Sequence, residues 1–303
     1  MSLPTQGYAV LKAVRHPGRI VPVLFSLFLT IGTILLCLPI SRTADEPPNV
    51  LAAAFTAVSA SCVTGLTVVD TATYWTSFGQ FVIMLLIQVG GFGIMTMATL
   101  LAVLVGGRLG LSTKLVAQNE SHASSMGNVK AILRTIGVTV LITEAVVALV
   151  LAARFYLGYG HSIGSALWQG MFHAISAFNN AGFALYSDSL IGFNQDVWMI
   201  LPLCAAIVAG GLGFPVFYEL YRRWNVPDKW TVHAKVTILG YFSLMAVGIG
   251  GFAAFEWNNA GTLGEMSLWG KVLNSIMGGI TPRTAGFNAI DYGKASARDL
   301  GAQ

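Results

Sequence analysis

Residues Ser165 to Asp188 read SALWQGMFHAISAFNNAGFALYSD: a short apolar stretch that runs straight into a glycine-containing segment with no basic residue in it. An apolar run of about 10 to 14 residues, here Ser165 to Phe178, is too short to cross a bilayer and is typical of a buried or re-entrant helix. The same order occurs twice more. Asn49 to Cys62 (NVLAAAFTAVSASC) leads into CVTGLTVVD, ending at Asp70, and Ser267 to Met277 (SLWGKVLNSIM) leads into TPRTAGFNAID, ending at Asp291. The glycines Gly65, Gly182 and Gly286 recur at intervals of roughly 105 to 115 residues, the scale of repeated membrane units.

Outward from these segments the chain is strongly apolar. Of its 303 residues 55% are hydrophobic and only 10% charged, where a soluble domain carries about a quarter charged residues. Stretches long enough to span hydrocarbon run from Ile20 to Ile40, Phe78 to Val105, Ile136 to Ala153, Val197 to Leu220 and Val236 to Phe255. The expectation is an all-α polytopic membrane protein with five spanning helices. The first span is too long for a signal-peptide core and lacks a cleavage site after it, so it reads as a retained helix. With the N-terminus cytoplasmic, the inner segments hold Lys12, Arg15, Arg19, Arg108, Lys114, Lys130, Arg134, Arg222, Arg223, Lys229 and Lys235, leaving six of the 17 basic residues elsewhere. The net charge of +4 thus follows from membrane orientation and not from nucleic-acid binding.

Backbone that leaves a helix at membrane depth must line water or protein, because each unpaired N–H or C=O costs about several kcal/mol in lipid. A glycine in such a segment can take φ > 0 and let neighbouring carbonyls point toward one axis. Carbonyls so arranged replace the hydration shell of a cation, and the C-terminal end of the preceding short helix adds partial negative charge. The chemistry that this pattern points to is cation permeation.

On these residues the chain resembles the Trk/Ktr/HKT superfamily of potassium transporters, whose subunits are similar to four fused copies of a potassium-channel pore unit. SASCVTGLTVVD resembles the first filter, with Val63, Thr64, Gly65 and Leu66 at its core; HAISAFNNAGF the second, with Asn180, Ala181, Gly182 and Phe183; ITPRTAGFNAID the third, with Thr284, Ala285, Gly286 and Phe287. IQVGGFGIMTMAT (Ile87 to Thr99) and VAGGLGFPVFYEL (Val208 to Leu220) resemble the second membrane helices of the first two copies. The resemblance implies potassium as the transported ion, with sodium also admitted, and no cofactor. It further implies a homodimer, a separate cytoplasmic nucleotide-binding regulatory subunit, and a cell membrane location. The expected units are residues 1–110, 111–230 and a partial third repeat at 231–303. Against the family pattern, no fourth filter follows Asp291, and the last residues, YGKASARDLGAQ, are polar, so the expectation is a chain cut short, with a natural fragment as the alternative.

Other residues carry plainer readings. Gly90, Gly91, Gly93, Gly210, Gly211 and Gly213 read as sites of close helix packing before pore-lining hinges. Glu144, in mid-span, needs a partner or water. His173 reads as a hydrogen-bonding residue of the short helix, and Arg283 as a carbonyl cap or a partner of Asp70, Asp188 or Asp291. Cys37, Cys62 and Cys204 lack metal-ligand spacing and read as small core residues. A secondary transporter of another fold with discontinuous helices is the alternative reading. A membrane enzyme is set aside, since HExxH and P-loop motifs do not occur.

Overall fold

The computed structural model describes residues 17–43, 47–108, 126–283 and 285–295. Among them, nine α-helices and a few single 3-10 turns make up the regular structure, and the one β-type pairing is an isolated bridge between Arg42 and Trp75. The helices are α1 (Pro17–Cys37), α2 (Val50–Ser61), α3 (Ser77–Arg108), α4 (Met126–Tyr159), α5 (Ile163–Phe178), α6 (Val197–Leu212), α7 (Phe214–Arg223), α8 (Val232–Glu256) and α9 (Leu268–Ile280). Within α4 the stretch Arg134–Tyr159 has a mean hydropathy of 2.4, and α8 one of 1.8; both are long and apolar enough to cross a membrane. Their outer faces carry Leu141, Ile142, Val146 and Leu149, and Val236, Leu239, Leu244 and Val247, all exposed. Apolar faces of that extent are what a lipid-facing helix presents.

The long-helix, short-helix order expected at each repeat is present three times, as α1–α2, α4–α5 and α8–α9. Each short helix opens on a polar N-cap whose side chain accepts from a backbone N–H three residues on: Asn49 from Ala52, Ser162 from Ser165, and Ser267 from Gly270. Each cap satisfies one of the helix's orphan donors and contributes about 1 kcal/mol. Since the caps stand one residue before the helices, the chain turns sharply there and sends the short helix back against its neighbours. Gly160, at φ +69°, makes that turn after α4. Gly170 lets α5 lie directly on α4, where a Cβ would come within 2.5 Å of the Ala148 carbonyl oxygen.

Two expected spans are revised. The stretch Val197 to Leu220 is not one helix: it breaks at Gly213, whose φ of 76° and ψ of 152° belong to neither helix, and α7 restarts with Pro215 in its first turn. A proline there has no N–H to donate back to the preceding turn, so the ladder cannot run through it. The first span ends at Cys37 instead of Ile40, and the chain passes through the turn Pro39–Ser41. Ser41 fixes that corner: its hydroxyl donates to Leu35 O at 2.6 Å and its carbonyl accepts from Thr76 N at 3.0 Å, which ties the end of α1 to the start of α3.

The core follows chain order. Leu36, Ala53, Ala57, Trp75, Ile83 and Ile87, from the stretch α1 to α3, pack with Phe172, Ala181 and Phe183. Leu151, Phe155, Phe178, Met199 and Leu203, from α4 to α6, pack with Leu273, Met277, Ala285 and Phe287. The segments after α2, α5 and α9 lie at these two seams.

Candidate cation-filter segments

The first two glycine segments leave their helices by the same hydrogen bonds. Cys62 N donates to Val58 O at 2.8 Å, Val63 N to Ala60 O at 3.3 Å and Thr64 N to Ser59 O at 2.9 Å; correspondingly Asn179 N donates to Ile175 O at 3.1 Å, Asn180 N to Ala177 O at 3.0 Å and Ala181 N to Ser176 O at 2.7 Å. In the third segment Ala285 N and Gly286 N both donate to Thr281 O, at 3.0 and 3.2 Å. Thr284 lies outside the described residues.

Left-handed backbone then recurs two residues apart. Val63 (φ 58°) and Gly65 (φ 73°) carry it in the first segment, Asn180 (φ 59°) and Gly182 (φ 71°) in the second, and Gly286 (φ 70°) in the third. For a β-branched residue such as Val63 this is strained by about 1–2 kcal/mol, so the surrounding bonds must hold it there. They are visible: Thr64 Oγ1 donates to Ser59 Oγ at 2.9 Å, and Ser59 Oγ donates across the turn to Leu66 O at 2.7 Å. Sequence reasoning anticipated positive φ at the three glycines but not at Val63. Asn180 did carry a signal, since asparagine tolerates this region better than most residues.

The three segments lie side by side in chain order. A Cβ on Gly65 would stand 2.5 Å from the carbonyl oxygen of Ala181, and one on Gly182 would stand 2.0 Å from that of Ala285. Gly65 and Gly182 therefore each face a carbonyl of the next segment at a distance no side chain permits, while Gly286 has open space beside it. Of the residues that follow, Phe183 and Phe287 are fully buried behind their segments, while Leu66 is 63% exposed. In front of the segments opens a cavity of about 410 Å³, lined by Gly65, Gly182 and Gly286 together with Thr67, Asp70, Tyr186, Ser187 and Asn288. Asp70 is the one charged residue on its described wall. Its carboxylate accepts from Ala72 N at 2.9 Å, from the Thr73 hydroxyl at 3.1 Å and from the Ser187 hydroxyl, which links the exits of the first and second segments. The second and third exits are linked by Leu190 N to Asn288 O at 2.8 Å and Asn288 N to Ser189 Oγ at 3.1 Å. The three segment glycines and one carboxylate share this space, and the negative charge of Asp70 favours a cation there.

The plainer readings are resolved as follows. Gly90 and Gly210 are contact glycines, because a Cβ would come within 2.1 Å of Ser61 O and 1.7 Å of Phe178 O, at the ends of α2 and α5. Gly91 and Gly211 likewise face Asn179 and Tyr241, whereas Gly93 has open space beside it and Gly213 is the helix break described above. His173 Nδ1 lies 2.8 Å from Gln169 O and its Nε2 accepts from Leu185 N at 3.3 Å, so the ring braces the chain just after the second segment. Glu144 has partners, accepting from Gln88 and Asn179. Arg283 caps a carbonyl, donating to Tyr241 O at 3.1 Å with its guanidinium 4.3 Å from the Tyr241 ring centre. The alternative pairing of Arg283 with a carboxylate is not formed: Asp291 lies 3.7 Å from Lys294 Nζ, while Asp70 and Asp188 accept from the turns that follow their own segments. Cys37, Cys62 and Cys204 are unbridged, and Cys204 Sγ packs 3.3 Å from Met277 Sδ.

Known proteins share this sequence. The chain is 39% identical over 285 residues to Ktr system potassium uptake protein B of Bacillus subtilis, covering 94% of this chain and 63% of the relative. It is 34% identical over 278 residues to potassium/sodium uptake protein NtpJ of Enterococcus hirae, covering 91% and 60%. Against Ktr system potassium uptake protein B of Vibrio alginolyticus it is 34% identical over 281 residues, covering 92% and 61%. The chain thus spans about three fifths of the length of these relatives. The TrkH family, described as cation transport protein, matches residues 10–299, and this chain belongs to that family.

Proposed function

We propose that the chain supplies three quadrants of a pore that passes potassium, and also sodium, across a cell membrane as the membrane subunit of a Trk/Ktr-type uptake system. The observation that carries this reading is the side-by-side placement of the three left-handed glycine segments about one cavity. The ion-binding residues are Val63, Thr64, Gly65 and Leu66; Asn180, Ala181, Gly182 and Phe183; and Thr284, Ala285, Gly286 and Phe287. Carbonyls of these segments take over from the water around an entering cation, so little desolvation cost is left unmet. The C-terminal ends of α2, α5 and α9 add partial negative charge, and Asp70 at the outer wall raises the local concentration of cations. The relatives' names support both ions: two are named for potassium uptake and one for potassium and sodium.

In this reading the repeats are residues 1–110, 111–230 and 231–303, the N-terminus is cytoplasmic, and the cavity faces outward. The subunit works as a homodimer with a cytoplasmic nucleotide-binding regulatory subunit and without a cofactor of its own. The test is growth of potassium-uptake-deficient cells at low potassium with the protein expressed at its full natural length. Growth should be restored by the wild type and impaired by Gly65→Ser, Gly182→Ser or Gly286→Ser. Gly240→Ser, in a helix position with nothing within 4 Å, should change little. Equal impairment by all four, or no rescue by the wild type, refutes the proposal.

A further inference from the structure

Directly behind the second glycine segment three polar side chains from three different elements close a triangle within the packed helices. Glu144 of α4 accepts at Oε2 from Gln88 Nε2 of α3 at 3.1 Å and at Oε1 from Asn179 Nδ2 at 3.0 Å. Asn179 Nδ2 also reaches Gln88 Oε1 at 3.3 Å and Ile175 O at 2.9 Å. Glu144 and Asn179 are 5% and 6% exposed, and Gln88 is partly buried. Asn179 is the residue between the end of α5 and Asn180, the first left-handed residue of the segment. The opposite atom of its amide, Oδ1, presses on α3 at Gly91, where a Cβ would stand only 2.1 Å away.

Among the described residues, the arrangement has no counterpart at the other two segments. Counting back three residues from the glycine gives Cys62 in the first segment, Asn179 in the second and Arg283 in the third. Cys62 makes its capping bond through its backbone, and Arg283 turns away to the Tyr241 carbonyl. Among the described residues, only the second segment is held by a side-chain amide locked to a carboxyl group. Two amide donors converge on Glu144, and a carboxylate, with two accepting oxygens, is the group that satisfies both; a glutamine offers one acceptor and turns a donor on a donor. Freeing one partner leaves the others buried and unpaired.

From this geometry, and resting on the transport reading above, we infer that Glu144 is a positioning residue which, through Asn179, sets the cation preference of the second filter segment. The triangle fixes the Asn179 side chain, hence the backbone that leads into the left-handed turn at Asn180 and Gly182, hence where the carbonyls of that quadrant stand. A shift of about 0.5 Å at such a site is enough to spoil its fit to one ion over another.

The test uses the protein at its full natural length, reconstituted in liposomes, with two readouts: the ratio of potassium to sodium uptake, and the hydrogen-exchange rate of the 176–186 peptide. Glu144→Gln and Asn179→Cys, the latter placing there the residue type of the first repeat, should each lower the ratio about three- to tenfold and speed exchange of that peptide about tenfold. The exchanged pair Gln88→Glu with Glu144→Gln keeps one carboxyl and two amides in the triangle with the same number of bonds, and should restore both readouts. An unchanged ratio and unchanged exchange in folded, monodisperse Glu144→Gln and Asn179→Cys overturn the inference, as does failure of the exchanged pair to restore what Glu144→Gln loses. If Glu144→Gln does not fold, Asn179→Cys decides alone by the same criteria. A wild type that takes up neither ion refutes the transport reading, and the exchange readout then still decides whether Glu144 positions the segment.

Discussion

Alanine at Gly182 meets two separate penalties that can be sized from the backbone. Its φ of 71° lies in the left-handed region, which costs an L-residue about 1–2 kcal/mol. The new methyl would then stand 2.0 Å from the Ala285 carbonyl oxygen, and reaching even 3.0 Å requires about 1 Å of displacement, against a tolerance of about 0.5 Å for a binding constellation. At Gly65 the φ penalty is the same, but the approach to Ala181 O is 2.5 Å, so the displacement is about half as large. Gly240→Ala, in open space inside α8, is the control and should gain up to about 1 kcal/mol from helix propensity. Cation flux into liposomes carrying the full-length protein should therefore fall in the order Gly182→Ala, then Gly65→Ala, with Gly240→Ala at the wild-type level, and potassium-over-sodium preference should fall in the same order. Wild-type flux and preference in Gly182→Ala, or a larger loss at Gly240 than at Gly65, would refute the argument that Gly182 and Ala285 meet across a shared ion path.

Two further outcomes follow from close approaches elsewhere. Gly210→Ala drives a methyl to 1.7 Å from Phe178 O and must push α6 away from the end of α5; the purified protein should lose about 2 kcal/mol or more of stability, read as a lowered midpoint of thermal unfolding. Gly213→Ala forces an L-residue to φ 76°, ψ 152°, a region open almost only to glycine, at a cost of about 1–3 kcal/mol; hydrogen exchange in α7 should rise while that in α5 stays protected.

The thrice-repeated order of a long helix before a short one was legible because each helix is marked by its own apolar run, and because the short runs are too brief to cross a bilayer. The break at Gly213 was less visible, for Gly90-Gly91-Phe92-Gly93 looks much like Gly210-Gly211-Leu212-Gly213, yet α3 runs on through the first while the helix stops at the second. What separates them is Pro215, two residues beyond the last glycine of the second motif; Met95 stands at that place in the first. The left-handed glycines Gly65, Gly182 and Gly286 could be named from register alone. The left-handed Val63 could not, since nothing in a valine announces that conformation and the bonds that hold it come from Ser59 and Thr64. Nor could the partners of Glu144 be found, because Gln88 and Asn179 lie 56 and 35 residues away and meet it only once three helices have packed.

The three segments share the N-caps of their short helices and a left-handed glycine but not the residue three before that glycine, which is cysteine, asparagine and arginine in succession. In a pore assembled from identical subunits, a single codon change alters every side of the ion path at once and so makes a large functional jump. Where the sides are written separately in one gene, a mutation alters one of them and leaves the rest as they were. Ion preference in such a protein can drift by small steps, one wall at a time, and homologues of similar fold can come to differ in the ions they admit without passing through a form that admits none.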